Sequence, residues 1–319
     1  MVMVLFLLQA CKRKDENFKE HSSGKINTIS VIVDDQLWNG EIGDSLRNKF
    51  ASPVIGLPEE EPLFTINQYP AKLLEGYMTA SRNIIVIKKE SKSYFEIKKN
   101  EFATPQNVVH ISGKTVMEIL DTLQKHSPEI IRVMRETEIV ENQRLIDTFL
   151  IKKERIINKF QISLNIPKGY IYVLEKNKFL WLKKEIPSGS TSLLIYEVPI
   201  NQIEIHPNSS VTNNIIKMRD SIGNLYIHGT VPNTRMITEE AYAPYLSNTK
   251  LSGKITYETK GTWELKNDFM SGPYINYSIT DFANDRMLVL EGFCYAPSKE
   301  KRNLMFELEA IIKSIKFLK

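Results

Sequence analysis

"KITYETKGTWEL" (254–265), "PYINYSITD" (273–281) and "RMLVLEGFCYA" (286–296) stand in series near the end of the chain. Each carries the β-branched and aromatic residues that suit a pleated, half-buried surface. Short polar or glycine-bearing stretches separate them. A helix is predicted from about Ser298, with Leu304, Leu308, Ile311, Ile312 and Ile315 in one stripe. Apolar residues at i, i+4, i+7, i+8 and i+11 cover one face of a sheet. Antiparallel strands closed by a packed helix make an α+β sandwich.

Working back from this block, "FQISLNIP" (160–167), "FLWLKKE" (179–185) and "SLLIYEVPI" (192–200) are predicted strands around "KGYIYVLEKNK". "TNNIIKMRDSI" (212–222) is a predicted helix with Ile215, Ile216, Met218 and Ile222 apolar. The first half differs in character. "TISVIVD" (28–34), "LFTINQYP" (63–70), "NIIVIKK" (83–89) and "VVHIS" (108–112) are strand patterns, and "YFEIKK" (94–99) is expected to pair with "NIIVIKK" as a hairpin. "EIGDSLRNKF" and "AKLLEGYM" are predicted helices, with a Pro-rich break, "SPVIGLPEEEP" (52–62), between the first of them and the next strand. Val116, Ile119, Leu120 and Leu123 share one helical face. Ser127-Pro128 places a capping residue and an N1 proline in the order that opens a second helix, running to about Arg155. The predicted fold class is therefore α+β, with an N-terminal α/β subdomain (27–157) ending in helices. A C-terminal antiparallel sheet packed by helices follows (158–319).

The composition is that of a globular protein: 319 residues, 42% hydrophobic and 25% charged. A net charge of +4 with lysines and arginines scattered among acids gives no case for nucleic acid. There are two cysteines, Cys11 and Cys294, and no disulfide framework follows from them. Cys294 sits among apolar and aromatic residues and reads as a small buried hydrophobe.

The chain opens on an apolar run, Met1 to Leu8, then Gln9, Ala10 and Cys11, then Lys12-Arg13-Lys14-Asp15-Glu16. Eight apolar residues cannot cross a bilayer, which needs about 20. They match the apolar core of a secretory signal. Leu8-Gln9-Ala10-Cys11 resembles a bacterial lipobox, with an aliphatic residue at −3 and a small residue at −1. That resemblance implies a signal peptide over 1–10, a lipid on the Cys11 thiol and a membrane attachment. Residues 11–26, including "KRKDENFKEHSSGK", are polar and charged and are expected to be a flexible tether. Lys14-Asp15-Glu16 resembles the signal that sends some Bacteroidetes lipoproteins to the outer face of the outer membrane, so the expected location is the cell envelope.

Chemistry-bearing patterns are few. The five histidines stand at no metal-ligand spacing, and no Walker loop, dinucleotide fingerprint or nucleophile elbow is present. No metal and no cofactor is expected. Glu59, Glu60 and Glu61 offer hard oxygens but read first as a solvated loop. The residues singled out as a functional surface are Trp38, Arg82, Asn83, Trp181, Arg219 and Asp220. Arg219-Asp220 on a helix reads first as a structural ion pair or cap. Either tryptophan reads first as a core or turn anchor and second as an interface hot spot.

Two resemblances follow from these segments. A strand ending in "IPKGY", a middle helix, a three-strand meander and a terminal helix are similar in order to the PsbP/Mog1-like sandwich, which implies fold and no function. "LWNGEIGDSLRNKF", "GLPEEEPLF", "SRNIIVI", "ATPQNVVHISG", "FLWLKK" and "KMRDSI" resemble an uncharacterised Bacteroidetes lipoprotein family, that of domain of unknown function 4837. It has no activity to carry over. The expected function is a lipid-anchored envelope binding or assembly module, for an envelope protein, a glycan or a lipid. The alternative is an envelope hydrolase whose site assembles only in three dimensions. A binding platform should show a groove with exposed aromatics, and an enzyme a pocket with convergent polar groups and perturbed pKa values. A purely structural subunit should instead show a large apolar patch.

Overall fold

The computed structural model describes residues 19–204 and 210–318. The predicted signal peptide and Cys11 lie outside the described residues. The first half runs β1 (Thr28–Ile32), α1 (Asp35–Trp38), α2 (Glu41–Phe50), β2 (Thr65–Tyr69), β3 (Asn83–Lys89), β4 (Tyr94–Lys99), β5 (Asn107–Gly113) and α3 (Val116–Ile146). Next come α4 (Glu154–Phe160), β6 (Ile162–Ser163), β7 (Ile171–Lys176), β8 (Phe179–Ile186) and β9 (Gly189–Val198). The chain ends with α5 (Asn201–Glu204), α6 (Val211–Tyr226), β10 (Arg235–Thr238), β11 (Tyr245–Leu251), β12 (Lys254–Lys266), β13 (Ser271–Asp281), β14 (Arg286–Tyr295), α7 (Arg302–Lys313) and β15 (Lys316–Phe317).

Two sheets organise the α+β fold. The smaller has the order β2-β1-β3-β5-β4. Its first four strands in that order are parallel, and β4 joins antiparallel. Both faces are covered, so β3 and β5 read as nearly continuous apolar runs. One face buries Ile29, Val31, Ile85, Ile87 and Val109 against α2 and α3. The other buries Ile32, Ile84, Val86 and Val108 beneath residues 69–74.

The larger sheet is antiparallel, in the order β10-β12-β13-β14-β9-β8-β7, with β11 also on β12. Alternation sends Ile275, Tyr277, Leu288 and Leu290 to one face, where Leu308, Ile311 and Ile312 of α7 meet them. Trp263, Tyr274, Val289 and Phe293 take the other face, packed with Ile215 and Met218 of α6. The helix stripe read from the sequence is the buried face of α7.

α3 joins the two cores. Ile119, Leu123, Ile130 and Met134 belong to the first, and Ile139 and Ile146 to the second. At 31 residues and 1.5 Å per residue it spans about 46 Å. Two helices were expected here, divided at Ser127-Pro128. One helix forms, with Pro128 inside it. An interior proline costs roughly 3 kcal/mol. Burial on both sides of it, at Leu123, Ile130 and Met134, outweighs that cost.

Several other expectations are corrected. β4 does not form a hairpin with β3. β5 inserts between them, because the buried β3 gains a parallel neighbour on each side while β4, with its charged alternate positions, takes the edge. "FQISLNIP" is a strand only at β6, and "AKLLEGYM" forms 3₁₀ turns at 71–73 and 76–80. β10 and β11 were not anticipated.

The predicted tether ends too late. From residue 20 onward the chain is a strap hydrogen-bonded to the smaller subdomain, with parallel bridges His21↔Thr104 and Ser23↔Ser81. Polar composition hid this because the strap docks through its backbone.

Candidate functional site

The residues singled out from sequence fall into two buried networks and two isolated places. Arg82 and Asn83, at the start of β3, converge on Glu138 of α3. Arg82 Nε donates to Glu138 Oε1 at 2.9 Å and Asn83 Nδ2 donates to the same oxygen at 2.6 Å. Glu138 Oε2 accepts the Asn27 backbone N–H at 3.0 Å. Arg82 Nη2 also donates to the carbonyls of Gly24 and Lys25, at 3.0 and 3.3 Å, and so buckles the strap to the fold. Burial pushes the Glu138 carboxyl above its usual range, and Arg82 only partly offsets it.

Arg219 on α6 makes a bidentate pair with Glu291 of β14, at 2.9 and 2.7 Å. Its guanidinium lies over the Tyr274 ring, 3.3 Å from the centroid. Asp220 accepts the Thr238 backbone N–H at 2.7 Å and its hydroxyl at 2.9 Å. All four charged or amide residues among Arg82, Asn83, Arg219 and Glu291 are buried. These groups hold the fold and are not a solvent-facing surface. The two pairs are also on different sheets. Trp38 lies under Arg47, 4.6 Å from ring centroid to guanidinium, and Trp181 Nε1 donates to Ser192 at 3.1 Å.

The solvent-facing concavity is elsewhere. Residues 53–62 between α2 and β2 form a closed ridge. Its base is pinned by Val54 N–H to Glu61 O at 2.9 Å and by Leu63 N–H to Ser52 O at 2.8 Å. Its tip rests on β12. Gly56 has φ +87°, and a Cβ there would lie 2.9 Å from Lys260 Cβ, so the position needs glycine on both counts. On one side the ridge closes a pocket of about 240 Å³ with Arg135, Arg302, Phe306 and Glu309.

On its other side lies a cleft of about 660 Å³. The far wall is the loop 239–245, which links β10 to β11. β10 and β11 pair different stretches of the same edge of β12, at 263–266 and 254–260. The loop bulges between them opposite Gly261 and Thr262. It brings Glu239, Tyr242 and Tyr245 to the cleft, while Thr262, Ser271 and Gly272 form part of the floor. Tyr242 and Tyr245 are 73% and 61% exposed. Glu264 of β12 is raised above the usual carboxylate range, first by burial and then by the like charge and hydrogen bond of Glu239.

None of the residues read from sequence as a functional surface lines this cleft. The signal that was available is "EEAYAPY" (239–245), acids and tyrosines around a proline between two strands. Among the described residues no group of three His, Cys, Asp or Glu side chains is placed to hold a metal ion. No helix of the described residues is long and apolar enough to cross a membrane.

The family model for a domain of unknown function, DUF4837, matches residues 150–314, just over half of the chain. The chain belongs to the DUF4837 family. A second domain of unknown function, DUF8532, matches residues 22–161, which contain most of the strap and the smaller sheet. The DUF4837 match contains the larger sheet, α6 and α7. The ridge and the loop 239–245 therefore come from different family models. No curated protein matches the chain.

Among solved structures, LpqN of Mycobacterium tuberculosis, involved in cell envelope biogenesis, is 13% identical with a TM-score of 0.30. That match covers 50% of this chain and 83% of LpqN. The Ran-binding protein Mog1p of Saccharomyces cerevisiae is 8% identical with a TM-score of 0.31, covering 50% of this chain and 90% of Mog1p. At these scores neither likeness adds to what the strand order already shows.

Proposed function

We propose that this DUF4837 protein is a binding module of the bacterial cell envelope, lipid-anchored through Cys11, that holds a glycan in the cleft between the ridge 53–58 and the loop 239–245. The cleft with its two exposed tyrosines carries this reading. Aromatic faces give apolar contact area at small entropic cost while their hydroxyls stay wet. The C–H face of a sugar packs on such rings. The Glu239 carboxylate and the Ser271 hydroxyl supply acceptors and a donor for sugar hydroxyls. No histidine or cysteine lines the cleft among the described residues. Calorimetric titration with soluble peptidoglycan fragments and outer-membrane oligosaccharides tests the reading. Binding by the parent and its loss by tenfold or more in Tyr242→Ala and Tyr245→Ala support it. A silent titration across both ligand sets sinks it.

One observation favours a second reading, an envelope hydrolase. Glu239 lines the cleft, and its neighbour Glu264, two residues beyond Thr262 of the floor, has its carboxyl raised by burial and by Glu239. A carboxyl raised in this way can serve as the general acid in glycoside cleavage. Turnover of the same oligosaccharides, abolished by Glu239→Gln and Glu264→Gln, would replace binding with hydrolysis.

A further inference from the structure

The strap fixes where the anchored chain leaves the folded body, and that decides which side faces the membrane. Going backwards from β1, Ser23 N–H donates to Ala80 O at 2.8 Å and Arg82 N–H donates to Ser23 O at 3.1 Å, just ahead of β3. Ser22 N–H then donates to Thr104 O and Thr104 N–H to Glu20 O, both at 3.0 Å, just ahead of β5. His21 pairs with Glu141 of α3 at 3.2 Å. The Lys19 ammonium finally reaches the Asn100 carbonyl, past the end of β4. The strap thus crosses the amino ends of β1, β3 and β5 in turn and leaves at the β5–β4 edge.

The ridge that walls the cleft precedes β2, at the other edge of the same sheet. Four inter-strand gaps of about 4.8 Å put roughly 19 Å between β2 and β4. The cleft then extends further, to the loop 239–245 of the larger sheet. Only eight residue-to-residue steps separate Lys19 from Cys11. At no more than about 3.5 Å each they reach roughly 28 Å. A chain of this length has a radius of gyration of about 19 Å, so the body is about 50 Å across and the reach is little more than half its width.

We infer that the β5–β4 edge lies against the membrane and that the cleft opens away from it. This rests on the proposed anchor at Cys11. The exit edge carries groups that suit a bilayer interface. Phe102 and Tyr94 are 39% and 48% exposed, with Lys19 and Lys99 exposed at the end of the strap and on β4. Aromatic and aliphatic side chains enter the headgroup layer, and lysine stems extend along it while the ammonium stays wet. Glu20 is exposed beside them, so the contact does not depend on a net positive patch.

The test uses the full-length acylated protein in vesicles of phosphatidylethanolamine and phosphatidylglycerol, with a nitroxide quencher on the headgroups. Cys294 is buried and Cys11 is acylated, so one introduced thiol takes a fluorophore. Phe102→Cys, Tyr94→Cys and Tyr242→Cys report on the two sides. Quenching several-fold stronger at 94 and 102 than at 242 is expected. Equal or reversed quenching in protein that carries acyl mass overturns the orientation and leaves the anchor standing. Protein whose intact mass shows no acyl group on Cys11 overturns the anchor and this orientation with it.

Discussion

The Glu61 carboxylate accepts the backbone N–H of Arg302 at 2.8 Å, so a loop in the first half caps the last helix of the second. Its other oxygen accepts the Lys301 N–H at 2.6 Å. These are donors that a helix start leaves without intrahelical partners. A carboxylate there also meets the positive end of the helix dipole. Glu61→Ala should cost about 1–2 kcal/mol in urea unfolding, the usual price of a lost cap. Glu61→Gln should cost less, because an amide oxygen still accepts. Equal stability of Glu61→Ala and the parent would remove this cap from the account of the fold.

Arg219 and Glu291 form the second relation between distant elements, and both are buried. Removing one partner leaves the other charge unpaired. Glu291→Leu should destabilise by about 3–5 kcal/mol. Arg219→Met combined with Glu291→Leu should lose clearly less than the sum of the single changes, since neither charge is then stranded. Additive losses in denaturant unfolding would show that the two side chains do not act as a pair.

Glu309 makes a pH prediction. Burial by itself raises its carboxyl, but Arg135, Lys260 and Lys313 outweigh burial and hold it well below the usual range. Arg135 donates to it at 2.7 Å and Lys313 at 2.6 Å. A depressed folded pKa gives stability that is present above the unfolded value of about 4.3 and is lost as pH falls toward the folded one. Glu309→Gln should therefore be most destabilised at neutral pH and should approach the parent as pH falls below about 4. A constant difference across the acid range would contradict this.

Cys294 lies in β14 with its thiol pushed up to about 12, chiefly by burial. The thiolate is the reactive form, so alkylation should be negligible in the folded protein and complete in guanidinium. Mass-detected labelling with iodoacetamide at pH 8 checks this. Rapid labelling without denaturant would mean that β14 is accessible.

Local patterns carried much of the architecture. The apolar stripe of α7, the buried runs of β3 and β5 and the meander β12-β13-β14 are each decided by side-chain period, which is a property of consecutive residues. Pairing order is not. β5 displaces β4 from β3 because burial on both faces is gained only when the whole sheet is assembled. Pro128 stays inside α3 because the first core, built from segments far apart in sequence, grips the helix on either side of it, at Leu123 and at Ile130 and Met134.

By itself the sequence determined the fold class, the character of each half and the family segments, since composition and periodicity act locally. It also marked Arg82, Asn83, Arg219 and Asp220 as unusual without showing why. Only the tertiary structure decided that Arg82, Asn83 and Arg219 are buried ties and Asp220 a half-buried one, and that the cleft forms between a ridge and a loop nearly two hundred residues apart. A cleft is a relation between surfaces, and its walls need no shared pattern in the chain. The strap was decided the same way: its backbone hydrogen bonds depend on where residues 80–82 and 104 stand, and nothing in the strap's own residues records that.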